Sequence, residues 1–230
     1  MTELELYSAK VCPFAHRTRL VLLEKGLEFS LKEIDLANKP ADFSRISPYE
    51  KVPVLIYGKD RVWESAIINE YLEETFRDPP LLPQKPGEKA IARIWIDFAN
   101  TKLIPAFYKL LLTQNPDKQQ HWKQEVLDRL QFMETEGIGK LGGNGEYWLG
   151  EFSLVDISFY PWFERWIVLQ EYRGLQFPAT CPHLDRWRGK MKERESVKAI
   201  ANSNTLYLQD YKKYAEGTAM GITAREMRGD

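Results

Sequence analysis

In LELYS, residues 4–8, apolar and polar residues alternate with the period of a short strand. The run that follows keeps Val11, Phe14, Leu20, Leu22 and Leu23 at broadly helical spacing, so a helix is expected over 12–25, stopped by Gly26. Alternation returns in LEFSLKEID, 27–35, with Phe29, Leu31 and Ile34 on shared sides, and ADFSRI reads as a short helix. VPVLIYG has the composition of a buried strand, and KDRVW completes a hairpin with Gly58, Lys59 and Asp60 in its turn. SAIINEYLEETF is then an amphipathic helix opened by Ser65. This order of elements predicts a small mixed sheet with a right-handed parallel crossover at its start.

The pattern changes at RDPPLLPQKPG, 77–87, where four prolines bar a helix and read as an interdomain linker. Beyond it the periodicity is helical: over 88–112 with a kink at Pro105, and over 121–136. A glycine-rich loop without phosphate-loop spacing covers 137–150. A helix over 153–170 opens with Ser153 and Asp156 at capping-box spacing, and Phe152 is placed to staple onto Ile157. One or two short helices are expected over 183–200, and a polar, frayed or draped tail over 212–230. The organisation expected is an α/β domain over 1–76, a linker over 77–87 and an all-helical domain over 88–230.

Composition narrows the function classes. The 32 basic and 33 acidic residues nearly cancel, which gives no electrostatic case for nucleic acid or an anionic membrane. No apolar run approaches a membrane span, and MTELELYSAK carries acids where a signal peptide needs a basic region and an apolar block. A cytoplasmic protein is expected. Its two cysteines, Cys12 and Cys181, suit a reducing compartment better than a disulfide framework, and the scattered His16, His121 and His183 make no metal site.

Cys12 carries the candidate chemistry. Pro13 suits the first helical position, which makes Cys12 the N-cap, where helix amides and dipole favour a thiolate. His16 and Arg17 lie within about a turn of it. Small-hydrophobe packing is the alternative. A two-thiol redox site would need a cysteine where Ala15 stands, so redox chemistry here would borrow its second thiol from a small molecule. In KVPVL, Pro53 is either a cis proline presenting the Val52 backbone to an extended peptide or an ordinary edge-strand proline. Glu64 and Ser65, at a helix N-terminus, either cap it or hold an ammonium and a carboxylate.

CPFAHR, KVPVL and ES before an apolar helix, in this order and spacing, resemble the glutathione-binding domain of cytosolic glutathione transferases. The cysteine in CPF resembles the omega, lambda and dehydroascorbate-reductase classes, and SLVDISFYPWFERW and PHLDRWRGKMKE resemble helices of the second domain. The resemblance implies a thioredoxin-like α/β domain followed by an all-α domain, glutathione as co-substrate and no metal. It implies that Cys12 is catalytic, exchanging disulfides with glutathione or serving dehydroascorbate reduction. It places Phe14, Leu36, Lys39, Val52, Pro53, Glu64 and Ser65 at the glutathione site, with Lys39 toward the glycine carboxylate. Trp162 and Arg165 would face an acceptor, with Trp95, Phe98 and Tyr108 as weaker candidates, although an aromatic stripe at helical spacing is also what core packing produces. Ser153 and Asp156 belong to folding, Tyr7 is not the catalyst, and Cys181 is structural or incidental. Conjugation of glutathione to electrophiles and a non-enzymatic ligand-carrying role stay open beside the thiol transferase. The expected partners are glutathione with a small-molecule disulfide, dehydroascorbate or an electrophile, in a monomer or homodimer.

Overall fold

In the computed structural model, which describes residues 3–228 other than Asn144, β1 (Leu4–Ser8) turns Leu4, Leu6 and Ser8 inward. α1 (Pro13–Glu24) carries the chain over to β2 (Ser30–Glu33), which pairs parallel with β1. Gly26, at φ 61°, ends α1: its N–H bonds to Leu23 and that of Leu27 reaches back to the Leu22 carbonyl. This cap uses the first residues of the expected strand, which is why β2 starts only at Ser30. After α2 (Phe43–Ile46), β3 (Val54–Tyr57) and β4 (Asp60–Trp63) pair antiparallel to give the order β2-β1-β3-β4. Tyr57 pairs with Asp60, so Asp60 joins the strand and the turn is Gly58 and Lys59 alone. α3 (Ser65–Thr75) lies against α1.

The chain divides into two units after Leu82, and the expected linker is not free on its first side. Glu73 of α3 accepts from the N–H groups of Leu81 and Leu82, each at 3.0 Å from a carboxylate oxygen. Lys25, just past α1, lies 2.7 Å from the same carboxylate and donates to the carbonyls of Phe76 and Pro79 at 2.7 and 2.9 Å. This buried pair satisfies backbone groups that prolines and irregular chain leave without helix or sheet partners. Residues 77–82 are therefore held to the α/β unit.

The second unit is helical. The rod expected over 88–112 is α4 (Pro86–Phe98), a π-helical turn (Ala99–Leu103) and α5 (Ile104–Leu112). The irregularity sits just before Pro105, which has no N–H to continue the ladder. α6 (Pro116–Phe132) starts earlier than apolar spacing suggests, because Asn115 caps it by accepting from Lys118 N–H at 3.0 Å. A second π-helical turn (Met133–Ile138) contains Gly137, where a Cβ would lie 2.8 Å from the Trp148 ring. α7 (Gly139–Leu141) follows. The helix expected over 153–170 is α8 (Leu154–Glu164) and α9 (Ile167–Arg173), broken at Arg165, whose side chain folds back to donate to the Pro161 carbonyl at 2.8 Å.

α10 (Pro182–Glu193), α11 (Glu195–Ile200), α12 (Asn204–Ala215) and α13 (Ile222–Arg228) complete the unit. The expected frayed tail is thus helical through most of its described length. Tyr207, Tyr211 and Ala215 are buried at four-residue spacing inside a polar stretch, and Tyr211 and Tyr214 pack on Tyr108 at 6.5 and 5.8 Å. No helix among the described residues is long and apolar enough to cross a membrane.

Asp156 organises the helical core. Its fully buried carboxylate accepts from Ser153 N–H and hydroxyl at 2.8 and 2.9 Å, Trp148 N–H at 3.0 Å and Trp187 Nε1–H at 2.7 Å. The bond from Ser153 N–H is one half of the capping box of α8; in the other half the Ser153 hydroxyl accepts from a backbone N–H of the first turn. Phe152 packs edge-on to Tyr147 at 5.5 Å and lies 3.6 Å from the Arg194 guanidinium. Burial pushes the Asp156 carboxyl from 3.8 up to about 6, against the four bonds that pull it down. The native state therefore holds this proton more tightly than the unfolded chain. Its contribution to stability falls as the pH rises between those two values. Asp156→Asn, which cannot accept from all four donors, should cost roughly 1–3 kcal/mol in urea unfolding. The gap between wild type and variant should narrow from about pH 4 to about pH 7; a widening gap contradicts the assignment.

Candidate functional site

The candidate site is assembled from three chain segments of the α/β unit. α1 supplies Cys12 at its N-cap, with φ −75° and ψ 118°, and Pro13 at the first helical position. The turn is closed by His16 N–H on the Cys12 carbonyl at 3.0 Å, and no acidic residue stands in the first turn. No carboxylate of the helix's own first turn therefore opposes the dipole there. Cys12 is half-buried, and its thiol donates to the Val52 carbonyl across 3.7 Å.

Val52 belongs to the second segment, the loop entering β3. The Val52–Pro53 bond is cis. Ser47 clips the loop, its hydroxyl donating to the Lys51 carbonyl at 2.7 Å and accepting from Lys51 N–H at 2.9 Å. Lys39 donates to the Glu50 carbonyl at 2.7 Å, so the lysine expected at a peptide carboxylate braces this loop. Leu36 stands exposed within the turn that Asp35 closes by accepting from Ala37 N–H at 2.8 Å.

The third segment is the start of α3. Glu64 is exposed at its N-cap with φ 69° and ψ 114°, a left-handed conformation that costs a non-glycine residue about 1–3 kcal/mol. Ser65 is buried, and its hydroxyl lies 3.4 Å from Arg17 Nη1 of α1. One turn on, Thr18 donates to Asn69 at 3.1 Å. Arg17 is itself buried beside the half-buried Phe14 ring, at 5.6 Å from its centroid. Sequence reasoning had Arg17 simply as a charge near the thiol; its bond to the opening of α3 went unseen. The signal was available: four consecutive polar residues, His16, Arg17, Thr18 and Arg19, interrupt the helix's apolar stripe, and all four are buried.

The structure does not bring Trp162 and Arg165 to any ligand-facing surface. Both lie inside the helical unit at 1% and 0% exposure, with Arg165 over the Tyr207 ring at 4.3 Å. The acceptor role expected of them is withdrawn, because side chains without exposed surface have none to offer a ligand. Trp95 and Tyr108 are buried as well, whereas Phe98 is half-buried in a stack with Phe132. Tyr7 is half-buried against the cluster that includes Val52, and burial, then Glu5, pushes its hydroxyl up.

Cys181 provides an internal comparison. It too precedes a proline at the start of a helix, here α10. Yet it is buried, and the amides behind it are taken by Glu134, which accepts from His183 and Leu184 N–H at 2.9 and 3.0 Å. Burial, and then the Glu134 charge, pushes this thiol up. Iodoacetamide should therefore label Cys12 in the folded protein and spare Cys181, as read by peptide mass mapping. Equal labelling would contradict the site as described.

The arrangement offers a helix-terminal sulfur beside a backbone carbonyl, with a second helix start tied to the first. Residues 11–75 match the family described as Glutathione S-transferase, N-terminal domain. The chain is 34% identical over 202 residues to Glutathione S-transferase U28 of Arabidopsis thaliana, covering 86% of this chain and 88% of that one. Among solved structures it is similar to rice GST1 in complex with glutathione, at 27% identity and a TM-score of 0.83, covering 95% and 99% of the two chains. It is also similar to glutathione transferase Omega 3C of Trametes versicolor, at 30% identity and a TM-score of 0.81, covering 93% and 91%.

Proposed function

The chain belongs to the glutathione S-transferase family, and we propose that within it this protein is a thiol transferase or dehydroascorbate reductase working through Cys12. The observation that carries this reading is the half-buried sulfur at the N-cap of α1, against the cis-proline loop. The likeness to an omega transferase and to a rice relative solved with glutathione supports it.

In this reading glutathione lies extended along Val52 and Pro53, between Phe14 and Leu36, with Lys39 near its glycine end. Its γ-glutamyl end sits at Glu64 and Ser65. The Cys12 thiolate attacks the glutathione sulfur of a mixed disulfide. The S–S bond breaks, the substrate sulfur leaves as a thiolate and takes a proton from water, and Cys12 holds the glutathionyl group. A second glutathione thiolate attacks that adduct and departs as oxidised glutathione, restoring Cys12. Ala15 is buried and carries no sulfur, so the resolving thiol comes from glutathione and not from the protein. With dehydroascorbate, two glutathiones supply the two electrons and end as one disulfide. This chemistry suits a reducing, cytoplasmic compartment.

Conjugation of glutathione to electrophiles is the second reading, favoured by the relative named a glutathione S-transferase over most of this chain. Cys12→Ser separates the two. A hydroxyl can hydrogen-bond a glutathione thiolate but cannot form the mixed disulfide. The variant should lose about 100-fold or more of its thiol transferase and dehydroascorbate reductase rates while keeping or gaining conjugation to chlorodinitrobenzene. Full reductase rates in the variant would overturn the cysteine mechanism.

A further inference from the structure

The sulfur that this chemistry needs as an anion is, in the structure, a hydrogen-bond donor. Cys12 Sγ stands 3.7 Å from the Val52 carbonyl oxygen. A hydrogen bond made by the neutral form holds a group neutral, and a carbonyl oxygen set against a thiolate repels it. The α1 N-terminus pulls the other way. Two backbone features of opposite sign thus meet on one atom.

The remaining charged and titratable groups around Cys12 are tied to the fold or to solvent. On α1, His16 and Arg17 are buried, Arg17 reaching Ser65. On β1, Tyr7 is half-buried with its hydroxyl pushed up, and beyond it Lys10 N–H bonds Glu33. The loop before Val52 brings Lys51, Glu50 and the Lys39 that bonds it; α2 carries Arg45, and α3 opens with the exposed Glu64. The Val52 carbonyl differs from all of these because an extended peptide uses it as a pairing partner.

We propose that the Val52 carbonyl is a ligand-operated switch on the ionisation of Cys12. The proposal rests on the glutathione reading above. Before the peptide arrives the carbonyl accepts the thiol proton. A peptide laid along Val52 offers its central N–H to the same oxygen, the S–H bond gives way, the proton leaves to water, and the helix N-terminus holds the anion. The thiolate fraction of Cys12, and with it the rate at which the thiol alkylates or oxidises, is then lower before a peptide is bound than after. Recognition of the backbone N–H, not of the incoming sulfur, is what arms the site.

The test is the ultraviolet absorbance of the thiolate against pH, with the Cys12→Ser protein as spectral baseline. It is recorded on the full chain, alone and saturated with γ-glutamyl-alanyl-glycine, a thiol-free tripeptide whose binding is followed by calorimetry. This peptide brings net negative charge and a methyl group toward the sulfur, and both would raise the titration midpoint. The switch predicts a fall of about half a pH unit or more, roughly a threefold gain in thiolate on the acidic limb. A depsipeptide with the central N–H replaced by oxygen should bind and produce no such fall. A bound tripeptide that leaves the midpoint unmoved or raised overturns the switch alone, as does a depsipeptide that lowers it equally. A tripeptide that does not bind overturns the glutathione reading, and the switch with it.

Discussion

A helix terminus stabilises a sulfur anion only within its first turn, so the chemistry proposed for Cys12 depends on holding the start of α1 in place. The α/β unit does this at both ends of the helix. At the start, Arg17 reaches Ser65 and Thr18 reaches Asn69, which locks α1 to the opening of α3. At the far end Lys25, buried against Glu73, gathers the carbonyls of Phe76 and Pro79. Between them Leu20, Val21 and Leu22 have no exposed surface. The helix cannot slide or roll without breaking buried polar bonds, each costing about 1–3 kcal/mol when a partner is left unsatisfied. Cys12 remains half-buried at the end of this braced rod.

Position alone does not fix a cysteine's surroundings, and the two Cys-Pro pairs of this chain differ in theirs. At Cys181 the helix amides that would favour a thiolate are used by the Glu134 carboxylate, and the sulfur is sealed in. At Cys12 no acidic residue stands in the first turn of the helix, and the thiol donates to a neutral carbonyl. Asp156 follows the same logic for oxygen: four donors hold a carboxylate that burial alone would neutralise, and the N-cap of α8 and the Trp187 indole are fixed together as a result.

Much of this was legible in the sequence, and the misses have physical causes. The alternation in LELYS, the hairpin at Gly58, the Cys12-Pro13 helix start and the Ser153–Asp156 box depend on local rules, and the structure forms each of them. The break at Arg165 and the burial of Trp162 depend on tertiary packing, which a helical stripe of aromatics does not distinguish from a ligand-facing surface. The tail from residue 212 reads as frayed because its composition is polar, while the residues it buries, Ala215, Ala219 and Ala224, are too small to make an apolar stripe. The proline stretch looked like a free linker because one partner, Lys25, lies far back along the chain, and the other, Glu73, reads as one of several acids on the preceding helix. At the site, residue types pointed to Cys12, Val52 and Ser65, while the Arg17–Ser65 bond is a long-range contact that no local spacing encodes.

The central claim is that Cys12 exchanges disulfides with glutathione through a covalent intermediate. The most direct measurement is intact mass followed by peptide mapping of the native protein after incubation with oxidised glutathione. The account predicts a single glutathionyl group, on the peptide containing Cys12, that free glutathione removes. An unmodified protein, or an adduct at Cys181 in place of Cys12, would contradict it.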